Sequence, residues 1–389
     1  MSKQEKKRNN KKRILMLLSN PFKPDPRVYN EAKSLVEEGY NVIILAWDRE
    51  GKYPLIENVG GITVYRVKCK GDYGKPKIFL KGILCFYIKS LQKIKEIEFN
   101  VVHAHDFDTL PLAIIISKKR KSKLVYDIHD DYASMISEVV PQIVSSFIDI
   151  LHKILVKFAD YIILANRALG EILGVKGTVV MNCADVDRYN EISQEDVLNL
   201  RKRLRIPEKA FVIVYIGILR NYNFLKSLID VAKNIDNCYL IVGGDGPCKE
   251  KILNYIKSCE RVKYVGWVKA QMIPYYTKLA DAIVVLNNPY KRYDRISTPV
   301  KMFEAMAAGI PVIVSKGGEA EKIVQKEKCG VAVDYYYLDD LSKIIKILMA
   351  DNNLKEKLGL NGKKAAERYY NLRKQLENLK KIYKDILAI

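Results

Sequence analysis

The sequence has no apolar run that approaches the ~18–20 residues of a membrane span. Charges break even its greasiest stretch, as Lys81 does in KIFLKGILCFYIK. The basic opening MSKQEKKRNNKKR is followed only by ILMLLS before Pro21, which reads as a disordered tail at 1–13 ahead of a first strand rather than a signal peptide. No C-x-x-C occurs among the seven cysteines, Cys69, Cys85, Cys183, Cys238, Cys248, Cys259 and Cys329. Their odd number and scattered spacing predict reduced, cytosolic thiols, with neither a zinc site nor a disulfide framework. Gly243-Gly244-Asp245-Gly246-Pro247 lacks the third glycine of a dinucleotide fingerprint, and no such fingerprint follows the first strand, so a nicotinamide dehydrogenase is disfavoured. No repeat of about 20–50 residues is present, which excludes solenoids and propellers.

What is present is length, apolar content and positive charge. At 389 residues the chain fits two domains, and 49% hydrophobic composition supplies two cores. Lys plus Arg number 66 against 45 Asp plus Glu, a net charge of +21. Such a surplus suits an anionic partner (nucleic acid, acidic lipid headgroups or a phosphorylated small molecule) and equally a compositional bias toward Lys, Ile and Tyr.

Short β-branched runs alternate with amphipathic stretches. Strands are predicted at 14–19, 42–47, 62–67, 101–105, 123–128, 161–164 and 178–181, with helices at 27–38, 78–95 and 143–158 between them. Strands apolar on both faces and separated by helices read as a parallel sheet covered on both sides. Residues 191–209 turn polar and read as a linker, after which the alternation restarts at 211–216. The predicted fold is α/β: an N-terminal Rossmann-like domain at 14–190 and a second at 205–370. A helix at 371–389 returns to the first domain. Two doubly wound sheets in sequence predict a ligand cleft between them.

The most informative segment runs from Ser297 to Val312, STPVKMFEAMAAGIPV. Thr298 is the expected N-cap and Pro299 the first helical residue, where its missing N–H costs nothing. The free amides and positive dipole end of that helix form an anion site. Lys301 in the first turn is unfavourable to the dipole unless an anion lies nearby, and Glu304, a turn further, suits two hydroxyls of a ribose. A capped core helix with solvent-facing Lys301 and Glu304 fits the same pattern.

TPVKMFEAMAAGIPVIVS resembles the donor-binding motif of glycosyltransferase family 4, the "group 1" family, whose GT-B fold sets two Rossmann-like domains face to face. The resemblance implies that Glu304 binds the ribose of a nucleoside diphosphate sugar and that the helix start, with Ser297 and Thr298, holds the diphosphate. The family motif carries two glutamates separated by seven residues. Here the earlier position is Ile296, and Asp294 is the candidate substitute. DPRVYNEAKSLVEEGYNVIIL, VVHAHDFDTLPLA, LVYDIHDD, MNCADVDRY, YIGILR, LIVGGDGP and VKYVGWV match further family segments in order.

From this resemblance follow the other site residues. Gly217 allows close approach of a phosphate, Gly244 belongs to a tight turn beside the nucleotide, Val268 meets the nucleobase through its backbone, and Arg220 with Lys226 clamps the diphosphate, although the family's Arg directly after the glycine is Ile218 here. His129 touches the transferred sugar, and Asp25, Arg27, His105 and Asp106 face the acceptor. His103 and His105 share a strand face and could pair on a metal, and Asp106-Phe107-Asp108 spells D-x-D. The GT-B resemblance nevertheless implies catalysis with neither metal nor cofactor.

The activity expected is transfer of a hexosyl group from a nucleoside diphosphate sugar to an acceptor hydroxyl with retention, in cell-surface glycan or glycolipid synthesis. The acceptor is a glycan or a lipid-linked molecule, and no specific nucleic acid is expected. A GT-B nucleotide-sugar epimerase is the alternative enzyme; a non-catalytic sugar-nucleotide or nucleic-acid binding protein is the alternative from another class. Residues 75–93 set Lys77, Lys81, Lys89 and Lys93 among apolar side chains. That pattern suits either a helix at an anionic membrane surface or one packed on the sheet. The expected location is the cytoplasm, at the inner face of the membrane where that helix docks.

Overall fold

The computed structural model describes residues 12–387 apart from 24, 73, 258, 336 and 337. Most of the expected tail at 1–13 lies outside the described residues, and Arg13 already belongs to the first strand. The chain forms two compact units, one ending at Met181 and regaining Gln375–Ile389, the other Asn182–Lys374. The polar stretch read as a linker is folded within the second unit. Its Gln194–Arg203 helix opens with a capping box, in which Ser193 Oγ accepts from the Asp196 amide at 3.1 Å and Asp196 accepts from the Ser193 amide at 3.0 Å. Only Leu200 of that helix is buried, so it shows little apolar periodicity.

The first unit carries an eight-stranded sheet: β1 (Arg13–Leu18), β2 (Asn41–Asp48), β3 (Ile56–Val59), β4 (Ile62–Lys68), β5 (Val101–His105), β6 (Lys123–Ile128), β7 (Tyr161–Leu164) and β8 (Thr178–Val179), in the order β3-β4-β2-β1-β5-β6-β7-β8. All neighbours run parallel except the hairpin of β3 with β4. The sequence reading missed β3, an edge strand with alternating exposure. Its turn is Gly60-Gly61, both at positive φ (60° and 90°), the geometry that a two-residue hairpin needs. The helices used below are α1 (Pro26–Glu37), α2 (Pro76–Lys93) and α3 (Gln142–Leu155). Strand order reverses between β1 and β5, so the loops beyond their carboxyl ends are where this topology binds ligands.

One cysteine expectation fails. Cys69 and Cys85 are joined, because the end of β4 and the third turn of α2 bring their Cα atoms within 6.0 Å. Spacing alone does not reveal a pair that forms between a strand end and a helix.

The second unit carries β9 (Phe211–Ile216), β10 (Cys238–Gly243), β11 (Val262–Tyr264), β12 (Ala282–Val285), β13 (Val312–Ser315) and β14 (Gly330–Val333). All are parallel in the order β11-β10-β9-β12-β13-β14, with the reversal between β9 and β12. This is the dinucleotide-fold strand order. Helices α4 (Tyr222–Asn234) and α5 (Val300–Ala308) flank the site. The cap of α5 is Pro299, at φ −62° and ψ 138°, not Thr298, so the helix starts one residue later than expected. Helix α6 (Leu372–Leu387) ends the described chain, and its Leu379, Ile382, Tyr383 and Ile386 join the core of the first unit.

Candidate functional site

In the second unit the carboxyl ends of β9, β10 and β11 are tied together by backbone. The Gly217 amide donates to Gly243 O at 3.0 Å, the Gly244 amide to Gly266 O at 2.7 Å and the Leu219 amide to Asp245 O at 2.9 Å. Gly244, at φ +126°, approaches so closely that a Cβ would lie 1.9 Å from Gly217 O. Its glycine therefore serves loop packing, and through it the placement of Gly217. A Cβ on Gly217 would instead lie 2.9 Å from Lys301 Nζ, so that glycine makes room for an ammonium group.

Lys301 Nζ sits 4.2 Å from the centre of the Tyr215 ring. Burial, with the nearby charge of Arg220, pulls its pKa down to about 8 against the opposing pull of Glu304. Glu304 is pushed upward by burial, while Lys301 and Arg188 favour its charged form. The described residues give Arg220 no carboxylate partner, and its side chain is exposed. Residues 297–301 are half-buried rather than sealed, and the Val300 and Lys301 amides at the start of α5 have no acceptor within the helix. Gly217, Arg220, Lys301 and Glu304 are thus brought together at the switch point of the sheet.

Other expected donor residues are placed differently. Lys226 is bound to Asp230 at 2.6 Å and lies over the Tyr255 ring, along α4. Asp294, in the short helix Arg292–Ile296, accepts from the Asn288 amide of the preceding loop. Val268 packs against the end of β10, where a Cβ on Gly243 would meet its Cγ2 at 2.8 Å. Beside it Trp267 is 73% exposed. Tyr215 and Arg188 were missed by the sequence reading; both lie inside matched segments, YIGILR and MNCADVDRY, but carry no spacing signal of their own.

In the first unit the charges are paired among themselves. His129 Nδ1 lies 3.0 Å from Asp106, and its Nε2 lies 2.8 Å from Asp127 and 3.2 Å from His105 Nδ1. Burial opposes the charge of His129, but Asp106 and Asp127 outweigh it and hold the imidazolium well above its usual range. Asp127 is likewise held low by Arg27 and His129 in spite of burial. His129 and Asp106 reach solvent, with side chains 14% and 31% exposed, whereas His105 and Asp127 are sealed. Asp106 adopts φ +61°, which turns its carboxylate back onto the His129 ring and amide.

Three residues expected to face an acceptor do other work. Asp25 caps α1, accepting from the Val28 amide at 3.1 Å. Arg27 is buried, bidentate to Asp127 at 2.7 and 3.2 Å, and donates to Val180 O at 2.9 Å. His105 is sealed beneath His129. Glu31, one helical turn after Arg27, and Asp127, two residues before His129, were not singled out from sequence although both belong to this network.

Comparison with known proteins agrees with this architecture. The profile of "Glycosyl transferases group 1" matches residues 196–365, and that of "Glycosyltransferase Family 4" matches 27–188. An uncharacterized glycosyltransferase of Methanocaldococcus jannaschii is 23% identical over 378 residues, covering 92% of this chain and 93% of the relative. Sucrose-phosphate synthase from Thermosynechococcus elongatus superposes with a TM-score of 0.80 at 16% identity, covering 97% of this chain and all of the other. Anabaena HepE, solved in complex with UDP, gives 0.73 at 19% identity over 97% of this chain and 100% of that one. With two parallel α/β units and both family profiles matched in order, the chain belongs to the group 1 glycosyltransferases of family 4 and has the GT-B fold.

Proposed function

We propose that the protein transfers a hexosyl group from a nucleoside diphosphate sugar to an acceptor hydroxyl, with retention at the anomeric carbon. The observation that carries this reading is the Lys301 ammonium lodged against Gly217 at the β9 switch point, beside the unpaired Arg220 guanidinium. Negative charge grows on the departing diphosphate during transfer. Arg220, Lys301 and the α5 amides supply positive charge there in place of a metal ion, and Arg can grip two oxygens at once. Glu304 receives the ribose hydroxyls. Since HepE was solved with UDP, a uridine donor is the first to try.

The acceptor reading rests on the first unit. His129, charged between Asp106 and Asp127 with both its N–H groups engaged by them, would meet the transferred sugar with its positive charge rather than with a free N–H. A cavity of about 1090 Å³ opens beyond β2 and β4, and in its wall Lys23, Arg49, Lys52, Lys68 and Lys70 outnumber Asp48, Glu50 and Asp72, a balance that favours an acidic or phosphorylated acceptor. No helix among the described residues is long and apolar enough to cross a membrane. Yet α3 exposes Ile143, Phe147, Ile150 and Ile154 (80, 63, 58 and 52%), a single apolar stripe, and α2 exposes Leu80, Leu84 and Ile88 beside its lysines. Both stripes support docking at an anionic lipid surface, in glycan or glycolipid synthesis at the inner face of the membrane.

The test is a panel of UDP-, GDP- and ADP-sugars scored by thermal stabilisation, then by sugar transfer. A ligand at 100 times its Kd adds about 2.7 kcal/mol, a shift that a melt detects. Absence of any stabilisation in the wild-type protein, or stabilisation that Lys301→Met leaves intact, overturns the reading. Transformation of the donor without an acceptor would favour an epimerase.

A further inference from the structure

Beneath His129 lies a group of side chains that the transfer reaction does not use. His103 and His105, alternate residues of β5, point to the same face with ring centres 4.1 Å apart, and Glu31 of α1 approaches them. His103 is fully buried, His105 is 1% exposed and Glu31 2%. Among the described residues the Nε2 atoms of both histidines and Glu31 Oε2 find no partner, and Glu31 Oε1 makes no hydrogen bond but an ion pair with Arg27 Nε at 3.2 Å. An unpartnered buried polar atom costs about 1–3 kcal/mol, so several in one sealed cluster call for a ligand among them.

The other ring nitrogens are already engaged. His103 Nδ1 meets the Tyr383 hydroxyl at 2.8 Å, and His105 Nδ1 meets His129 at 3.2 Å and Asp127 at 3.4 Å. That arrangement, one nitrogen anchored and the other free, is how metal-binding imidazoles are normally oriented. One ligand atom from each of Glu31, His103, His105 and Asp127 falls within 4.8 Å of all the others. A tetrahedral site with bonds of about 2.0–2.2 Å needs ligand atoms roughly 3.4 Å apart, so binding would draw the most separated pair together by up to about 1.4 Å. Asp127 Oδ2 already serves Arg27, His129 and His105, but Oδ1 accepts from Arg27 alone among the described residues and keeps a lone pair for the fourth vertex.

The geometry points to a buried binding site for a divalent first-row transition metal of zinc type, held by Glu31, His103 and His105 with Asp127 as the fourth ligand. Two imidazoles with carboxylate oxygen select such an ion over magnesium or calcium. The site is structural: its ligands are sealed from solvent, and through Tyr383 and His129 it fastens α6 and the imidazolium to the sheet. It is separate from the diphosphate site in the second unit and does not depend on the donor reading.

Because the ligands are buried, the metal is best introduced during synthesis. Protein produced in medium supplemented with Co(II) should carry about one equivalent of cobalt, show the visible d–d bands of a four-coordinate ion, and lose Tm on removal of the metal. Glu31→Gln should lower the cobalt content several-fold while the variant still melts cooperatively. His103→Gln gives the same readout should Glu31→Gln not fold. Free thiols are the competing ligands, and cobalt retained with an unchanged spectrum in both variants overturns the assignment. So does a wild-type protein free of metal from media containing zinc or cobalt. That outcome would leave a proton shared between Glu31 and the imidazoles.

Discussion

The two sheets place charge at their carboxyl edges in opposite ways. In the first unit Arg27, Asp127, His129 and Asp106 neutralise one another at 2.7 to 3.2 Å, mostly out of solvent. In the second, among the described residues, Arg220 has no carboxylate partner, and Lys301 faces a glycine and a ring with Glu304 alone to offset it. A network that satisfies itself holds its geometry before any ligand arrives. A cationic site left open is destabilised until an anion enters, and its binding energy is available to the leaving group. Switch points of the same kind thus carry a self-paired set of charges in one unit and a cationic pair with little compensation in the other.

Substitution should separate these roles. Asp127→Asn leaves Arg27 buried without its partner and is expected to destabilise the first unit by about 3–5 kcal/mol. It should lower the denaturation midpoint with little change in nucleotide affinity of the surviving folded protein. If nucleotide affinity falls as far as stability, the contrast between the units is wrong. Lys301→Met should do the reverse. Loss of one preorganised donor at a developing charge costs about 10²–10³ in rate, while removal of a buried cation leaves Tm unchanged or raises it. Steady-state transfer rates beside calorimetric melts distinguish the outcomes.

Much of this organisation was legible in sequence. β-branched runs apolar on both faces can only be buried parallel strands, and Gly309 closing α5 before Pro311 bounds that helix tightly. The Lys301–Glu304 spacing predicted two charged groups on one turn of α5, and the structure has them there. Arg27 and Asp25 resisted the same reading because a cap, a buried ion pair and a ligand contact use the same residue types. Lys226 likewise satisfies its charge four residues along its own helix, at Asp230, a local partner that competes with any ligand. Long-range partners such as Tyr383 with His103, 280 residues apart, leave no mark in local sequence.

pH gives a finer test of the open site. Lys301 has its pKa lowered from 10.5 to about 8, so between those values the unfolded chain binds more protons than the folded one. Stability of the ligand-free protein should therefore rise from pH 8 toward 10.5, as the cost of burying the charge disappears. Nucleotide binding needs the cation and should move the other way, with the Kd for UDP rising about tenfold between pH 7 and pH 9. Isothermal titration across that range, with Lys301→Met flat in both respects, checks the opposed signs. Parallel trends would place the titrating group elsewhere.

The smallest effect expected is at Gly217. Its backbone tolerates a side chain, but an alanine Cβ would stand 2.9 Å from Lys301 Nζ. The obstacle is the tip of a flexible side chain, so Gly217→Ala should fold normally and push the ammonium aside by a few tenths of an ångström. A few-fold rise in the Kd for UDP is expected, with Tm nearly constant. Gly244→Ala is the useful contrast, because there the obstacle is the backbone oxygen of Gly217 at 1.9 Å and the φ is positive. That variant should lose stability as well as affinity. Equal behaviour of the two alanines would mean that Gly217, too, is a packing glycine rather than one that makes room for the cation.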